Sequence, residues 1–176
     1  MRKITLVFGL IIGGIFSAFG LYAAARCCEN PKFESNDLIG YAGMLATTSL
    51  IFIAIKSYRD KHENGFITFG KAFKVGGIIS LIASTLYVVA WLIDYYIFLP
   101  DFIDYYTQHV LYMQELNGAT QAQIDAKAAE MAEFKELYKN PLFVIIVTYA
   151  EILPLGLIIS LISAALLRKK QKQQFA

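Results

Sequence analysis

The sequence predicts an all-α polytopic membrane protein. Four transmembrane helices form one bundle, and a helical hairpin stands outside the membrane between the third and fourth. Three observations predict this. The 176 residues are 57% hydrophobic and 17% charged, with a mean hydropathy of +0.50, where a soluble domain has about 45–50% and about 25%. Four stretches are long and apolar enough to cross a bilayer. Lysine and arginine gather on alternate sides of those stretches, as they do around membrane spans.

The first span covers residues 4–25, ITLVFGLIIGGIFSAFGLYAAA. Arg2 and Lys3 before it and the alanines after it invite comparison with a secretory signal. Its apolar run is longer than a signal core of about 7–15 residues, and it carries Gly9, Gly13 and Ser17 at helix-packing spacing, so a retained helix is expected. Cys28 lacks a lipoprotein cleavage pattern before it. The second span is residues 38–55, the third 72–99 and the fourth 142–167. Each is near or above the roughly 20 residues that a ~30 Å hydrocarbon layer demands at ~1.5 Å per residue. They cover more than half the chain and leave little for a separate soluble domain, so residues 1–176 are read as one membrane domain.

Residues 101–140 are the one sizeable piece outside the spans. DFIDYYTQHVLYMQEL is rich in aromatics and is expected to prolong the third span past a bend at Pro100. Asn117-Gly118 marks a turn. Thr120 and Gln123 then have capping-box spacing and open a second helix. Its inward positions are Ile124, Ala128, Met131, Phe134 or Lys135, and Tyr138, with Lys135 the misfit. The hairpin reads as a spacer or lid joining two spans, or as a surface for a partner.

Orientation follows from charge. Arg2 and Lys3, then Lys56, Arg59, Lys61, Lys71 and Lys74, then Arg168, Lys169, Lys170 and Lys172 place 11 of 16 basic residues on one side. The other side has Arg26, Lys32, Lys127, Lys135 and Lys139 among ten acids, including Glu29, Glu34, Asp37 and Asp101. Both termini are therefore expected in the cytoplasm.

Small residues recur every four positions on the spans: Gly9, Gly13 and Ser17; Gly43 and Thr47; Gly76, Ser80 and Ser84; Gly156, Ser160 and Ala164. Such faces let backbones approach closely. They serve packing within the bundle or, alternatively, association with a second copy.

One carboxylate is out of place. In TYAEILPLGLIISL, Glu151 lies about ten residues inside its span, roughly 15 Å deep, and Pro154 follows one turn later. Thr47, Thr48, Ser84 and Thr85 fall at the same level. These residues make a candidate intramembrane polar site. No lysine or arginine shares that depth, so a hydrogen bond to the second or third span is expected rather than an ion pair. The site is either a structural clasp at a proline kink or a place for a proton, a cation or a small ligand. Asp94 lies near the outer end of the third span, beside Tyr95 and Tyr96, where water is in reach.

Other chemistry lacks its residues. His62 and His109 fall on opposite sides, adjacent Cys27 and Cys28 do not bridge each other, and no metal cluster, catalytic triad or phosphate-binding glycine loop is spaced for use. No metal, cofactor, enzyme activity or nucleic-acid partner is expected.

NGFITFGKAFKVG, GATQAQIDAKAAEMAEF and NPLFVIIVTYAEILPLGLIISLISAALLRKK together resemble the bacterial domain-of-unknown-function family 4199. The resemblance covers nearly the whole chain. It implies a small four-span integral membrane protein and supplies no functional residues; the inner membrane is the expected location. Two expectations remain. One is a non-enzymatic scaffold, accessory subunit or assembly factor that packs in the lipid bilayer with itself or a membrane protein partner. The other is a small carrier or proton-coupled permeation element centred on Glu151.

Overall fold

The computed structural model describes residues 1–32 and 37–169. Glu34 and the tail lysines Lys170 and Lys172, used in the charge argument, lie outside the described residues. Six α-helices follow one another: α1 (Arg2–Glu29), α2 (Asp37–His62), α3 (Phe69–Ile93), α4 (Phe102–Leu116), α5 (Gln121–Tyr138) and α6 (Pro141–Leu167). Four of them, α1, α2, α3 and α6, are long and apolar enough to cross a membrane. All but one start before and finish at or beyond the apolar stretches read from the sequence. Hydropathy measures the oily middle of a span, whereas backbone hydrogen bonding runs on into polar ends.

The third span stops short of its sequence limit. After Ile93 the chain makes a π-helical turn over Asp94–Phe98, in which the Leu99 N–H donates to the Asp94 carbonyl at 2.8 Å. Pro100 has no N–H with which to continue the ladder. Residues 102–116 therefore form a separate helix rather than a prolongation of α3, and α4 packs on α1. Gly118, at φ +76°, makes the turn to α5. The Thr120 N–H donates to Gln123 Oε1 at 2.8 Å at the start of α5. Met131 and Tyr138 are buried and Phe134 is half-buried, while Lys135 points out. That settles the misfit in favour of Phe134, and Lys135 pairs with Asp104 across the hairpin.

Packing of the long helices is dictated by small residues. A Cβ added to Gly76 of α3 would sit 2.6 Å from Ser160 Oγ of α6, and one added to Gly156 of α6 would sit 2.7 Å from Ser80 Oγ of α3. The two serines meet at 3.2 Å, and each also donates to a carbonyl of its own helix, Gly76 and Gly156. A glycine and a serine on each helix thus interlock reciprocally. On the other flank of α3, Gly9 of α1 faces Ile82, and a Cβ on Gly13 would lie 2.8 Å from the Ala83 carbonyl oxygen. Ser17 returns its hydroxyl to Gly13.

The helix α2 lies across α1 and α6 and is packed only in part. Thr48, Ile51, Ala54, Ile55 and Tyr58 are buried, while Leu38 and Tyr41 are 77% and 67% exposed. Gly43 has no atom near its missing Cβ. The small-residue face expected there is unpartnered among the described residues.

Each end of the bundle is fastened differently. At the end carrying the termini, Ile67 and Lys169 exchange backbone hydrogen bonds of 3.1 and 2.9 Å, stitching the α2–α3 loop to the residue after α6. Glu63 in that loop takes bonds from Tyr58 and Lys71, and these hold its carboxyl below the usual range, Lys71 first. At the hairpin end, Trp91, Tyr95, Phe102, Phe134, Tyr138 and Phe143 form an aromatic cluster that seats α4 and α5 on the bundle.

The interlock makes a measurable distinction. Gly76→Ala is expected to destabilise the protein by about 1–3 kcal/mol through overpacking. Gly14→Ala, where no atom lies within 4 Å, is expected to cause no such loss. Thermal unfolding of both variants in detergent checks this, and equal melting of the two would contradict the interlock.

Candidate functional site

The hairpin-end half of α2 stands away from its neighbours, so the bundle does not close there. A cavity of about 680 Å³ results, walled by α1, α2, α3 and α6 and covered by α4 and α5. Phe16, Tyr87 and Ile152 belong both to its lining and to the main core. They form its floor. Below them Ile12, Ile51, Ile55 and Ile79 are almost wholly buried, which closes the way toward the terminal end.

Glu151 stands in the wall of this cavity. Ten residues of α6 precede it, so it lies about 15 Å from the start of the helix. Glu151 is exposed rather than packed. Tyr87 of α3 donates to Glu151 Oε2 at 3.4 Å, long for an O–H···O bond. No other hydrogen bond to this carboxyl occurs among the described residues. Most of its accepting capacity is left unspent.

The tyrosine reaches across because α1 makes room for it. A Cβ on Gly20 would lie 2.9 Å from the Tyr87 ring, so the glycine gives the phenol room to lie over α1 and aim at α6, and a larger residue would push the ring aside. Phe16 meets the same ring edge-on, with centroids 6.4 Å apart. Three helices thus fix one hydroxyl beside one carboxylate.

Higher in the cavity the polar groups satisfy one another. The Trp91 indole N–H donates to Tyr138 Oη at 3.0 Å. His109 of α4 meets the Pro31 carbonyl through Nδ1 at 2.9 Å. Thr148 turns its hydroxyl to the Val144 carbonyl.

The other residues singled out from the sequence lie elsewhere. Thr47 and Thr48 donate to the carbonyls of Gly43 and Met44 on their own helix. Thr85 bonds to Leu81 and to Tyr149 on the outside of the bundle. Ser84 is buried, and its oxygen has no partner among the described residues. None of these four lines the cavity. The three threonine hydroxyls are satisfied by the carbonyl four residues back, and Ser84 is turned away from the cavity, so equal depth did not bring them to Glu151. Pro154 is exposed, and α6 runs through it without ending. The packing residues Gly9, Gly13, Ser17, Gly76, Ser80, Gly156 and Ser160 sit at helix contacts, apart from the cavity.

Sequence reasoning passed over Tyr87, Gly20 and Trp91, and read Tyr138 only as an inward position of its helix. A signal for Tyr87 existed: a phenol six residues inside the end of α3, deeper than an interface belt. Asp94, expected at water, keeps one carboxyl oxygen buried and without a partner among the described residues. Among the described residues no group of three or more His, Cys, Asp or Glu could hold a metal. Cys27 and Cys28 are unbridged.

Burial pushes the Tyr138 phenol up to about 12, while the Trp91 hydrogen bond pulls the other way. The folded value lies above the ordinary tyrosine value of about 10. The stability held by the neutral phenol is therefore complete below about pH 10 and is lost as pH rises toward 12. Tyr138→Phe is expected to remove that alkaline loss and to cost about 0.6–1.7 kcal/mol at neutral pH through the interhelical bond. Unfolding followed by the fluorescence of the single tryptophan measures both; an unchanged alkaline slope would contradict the assignment.

The comparisons with known proteins name no activity. No curated protein and no solved structure matches the chain. A family model described as protein of unknown function (DUF4199) matches residues 7–169. Nearly the whole chain, both helix interlocks and the cavity included, falls inside that match, and the protein belongs to the DUF4199 family.

Proposed function

We propose that this multi-pass membrane protein binds a small, largely apolar molecule in the cavity beneath the hairpin, with Glu151 as its polar anchor, and that it performs no covalent chemistry there. One observation carries the reading: a cavity of about 680 Å³ that reaches a carboxylate with a single long internal bond. Cavities of roughly 300–1,000 Å³, apolar with a few placed polar groups, are the usual form of small-molecule sites. A pure clasp would satisfy its carboxylate fully and leave no space beside it. The closed floor, with buried isoleucines beneath it, supports a carrier-type or receptor-type site reached from the hairpin half of the bundle rather than a continuous pore.

A scaffold or accessory role is the second reading. It is supported by the exposed half of α2, where Leu38 and Tyr41 present apolar surface and Gly43 leaves room for another backbone. A second copy or another membrane protein would then cover that face.

We further place the termini in the cytoplasm and the α4–α5 hairpin outside an inner membrane, on the basic-residue asymmetry. In a background with Cys27 and Cys28 replaced, Ala122→Cys is expected to react with an impermeant thiol reagent on intact cells, and Lys61→Cys only after lysis. The opposite pattern would invert the topology.

Native mass spectrometry on protein released from its own membrane tests the binding reading. A copurifying molecule is expected on the wild type. Ala23→Trp at the cavity rim is expected to reduce its occupancy at least tenfold with the melting temperature unchanged. Absence of any adduct on the wild type, or undiminished occupancy in the Ala23→Trp variant, would count against a cavity ligand.

A further inference from the structure

We propose that the ligand is a lipophilic monocation, an organic ammonium or phosphonium carrying apolar substituents. The inference deepens the reading of the cavity as a binding site and rests on it. The charge of the lining decides the sign of the ligand. Glu151 is the one carboxylate in the cavity wall, and no lysine or arginine is among the lining residues. An organic anion finds no lysine or arginine in the lining to offset its charge. A cation displaces the carboxyl proton to solvent and pairs with the carboxylate in the same low-dielectric space, where opposite charges attract far more strongly than in water.

The walls decide the rest. Nine aromatic rings line the cavity, Phe16, Tyr87, Trp91 and Tyr138 among them. Aromatic faces attract cations, and cages of such rings are the recurring means of holding quaternary ammonium groups. A sugar or other polyhydroxyl molecule finds little to match, because the polar groups higher in the cavity bond to the protein itself, Trp91 to Tyr138 and His109 to Pro31. A metal ion would need more than the single carboxylate.

The field outside points the same way. The segments at the hairpin end carry ten acids against five bases. Three of those bases, Lys127, Lys135 and Lys139, are already paired with Glu130, Asp104 and Glu136. A surface of this sign concentrates cations at the entrance.

Trp91, the only tryptophan in the chain, stands in the cavity wall, so its fluorescence reports occupancy directly. The experiment titrates full-length protein in neutral detergent with tetraphenylphosphonium, with the neutral isostere tetraphenylsilane and with the anion tetraphenylborate. Saturable quenching by the phosphonium at concentrations at least tenfold below the other two is expected. Glu151→Gln is expected to abolish that preference while the thermal melt is retained; glutamine keeps the shape and the capacity to accept from Tyr87. If the silane or the borate saturates as readily as the phosphonium, or if Glu151→Gln keeps the preference, the monocation assignment is overturned and the cavity remains a binding site. If none of the three gives saturable quenching, the assignment and the underlying binding reading both fall.

Discussion

Everything in this molecule hangs on the approach of α3 to α6. Lipid offers helices no hydrophobic drive to associate, so close van der Waals contact and short polar contacts must supply it. Gly76 and Gly156 each leave a notch, and Ser160 and Ser80 fill those notches from the opposite helix. The shared hydroxyl contact at 3.2 Å sits in the seam. Because α1 uses the other side of α3 through Gly9 and Gly13, α3 becomes the central post. The position of Tyr87 follows from that placement, since its ring has Gly20 on one side and Glu151 on the other.

The cavity is the complement of this tight seam. α2 has no glycine in contact with a neighbour; Gly40 and Gly43 both face open space. It is held instead by its lower half, through Thr48, Ile51, Ala54 and Ile55. A helix gripped along half its length diverges over the other half, and the gap is filled at the top by a hairpin that docks through aromatic rings. Small residues where the bundle must be tight and rings where it must be roomy give the two halves opposite packing. The half that is roomy contains the carboxylate.

Much of this was legible in the sequence. Span number came from hydropathy and the hairpin turn from Asn117-Gly118 and Thr120, while four-residue spacing marked a small-residue face on each span without saying which two would meet. Those features are local or periodic, so one chain displays them. The position of Glu151 along its helix was also legible, because rise per residue is fixed. Its neighbours were not. Depth is one coordinate, and rotation of each helix about its own axis is another that sequence alone leaves open. Thr47, Thr48, Ser84 and Thr85 shared that level and faced elsewhere, while Tyr87, which the sequence reading left unmentioned, had the right rotation. Pro154 looked like a break, yet α6 continues through it, since neighbouring helices and local adjustment re-satisfy the freed backbone in spans.

The seam also sets a timetable. Ser80 and Ser160 are 80 residues apart in the sequence. At synthesis rates of about 5–20 residues per second, the second emerges roughly 4–16 s after the first. Through that interval the notched face of α3 has entered the membrane with its partner still unmade. α1 is already present and can occupy the opposite side of α3, which leaves the notched side free for the last helix. The α2–α3 loop is then tied to Lys169 only when synthesis of α6 is complete. The order of the genetic message thus makes the central post wait, flanked on one side by its earliest neighbour, and the final helix acts as the keystone that turns a row of inserted segments into a fold.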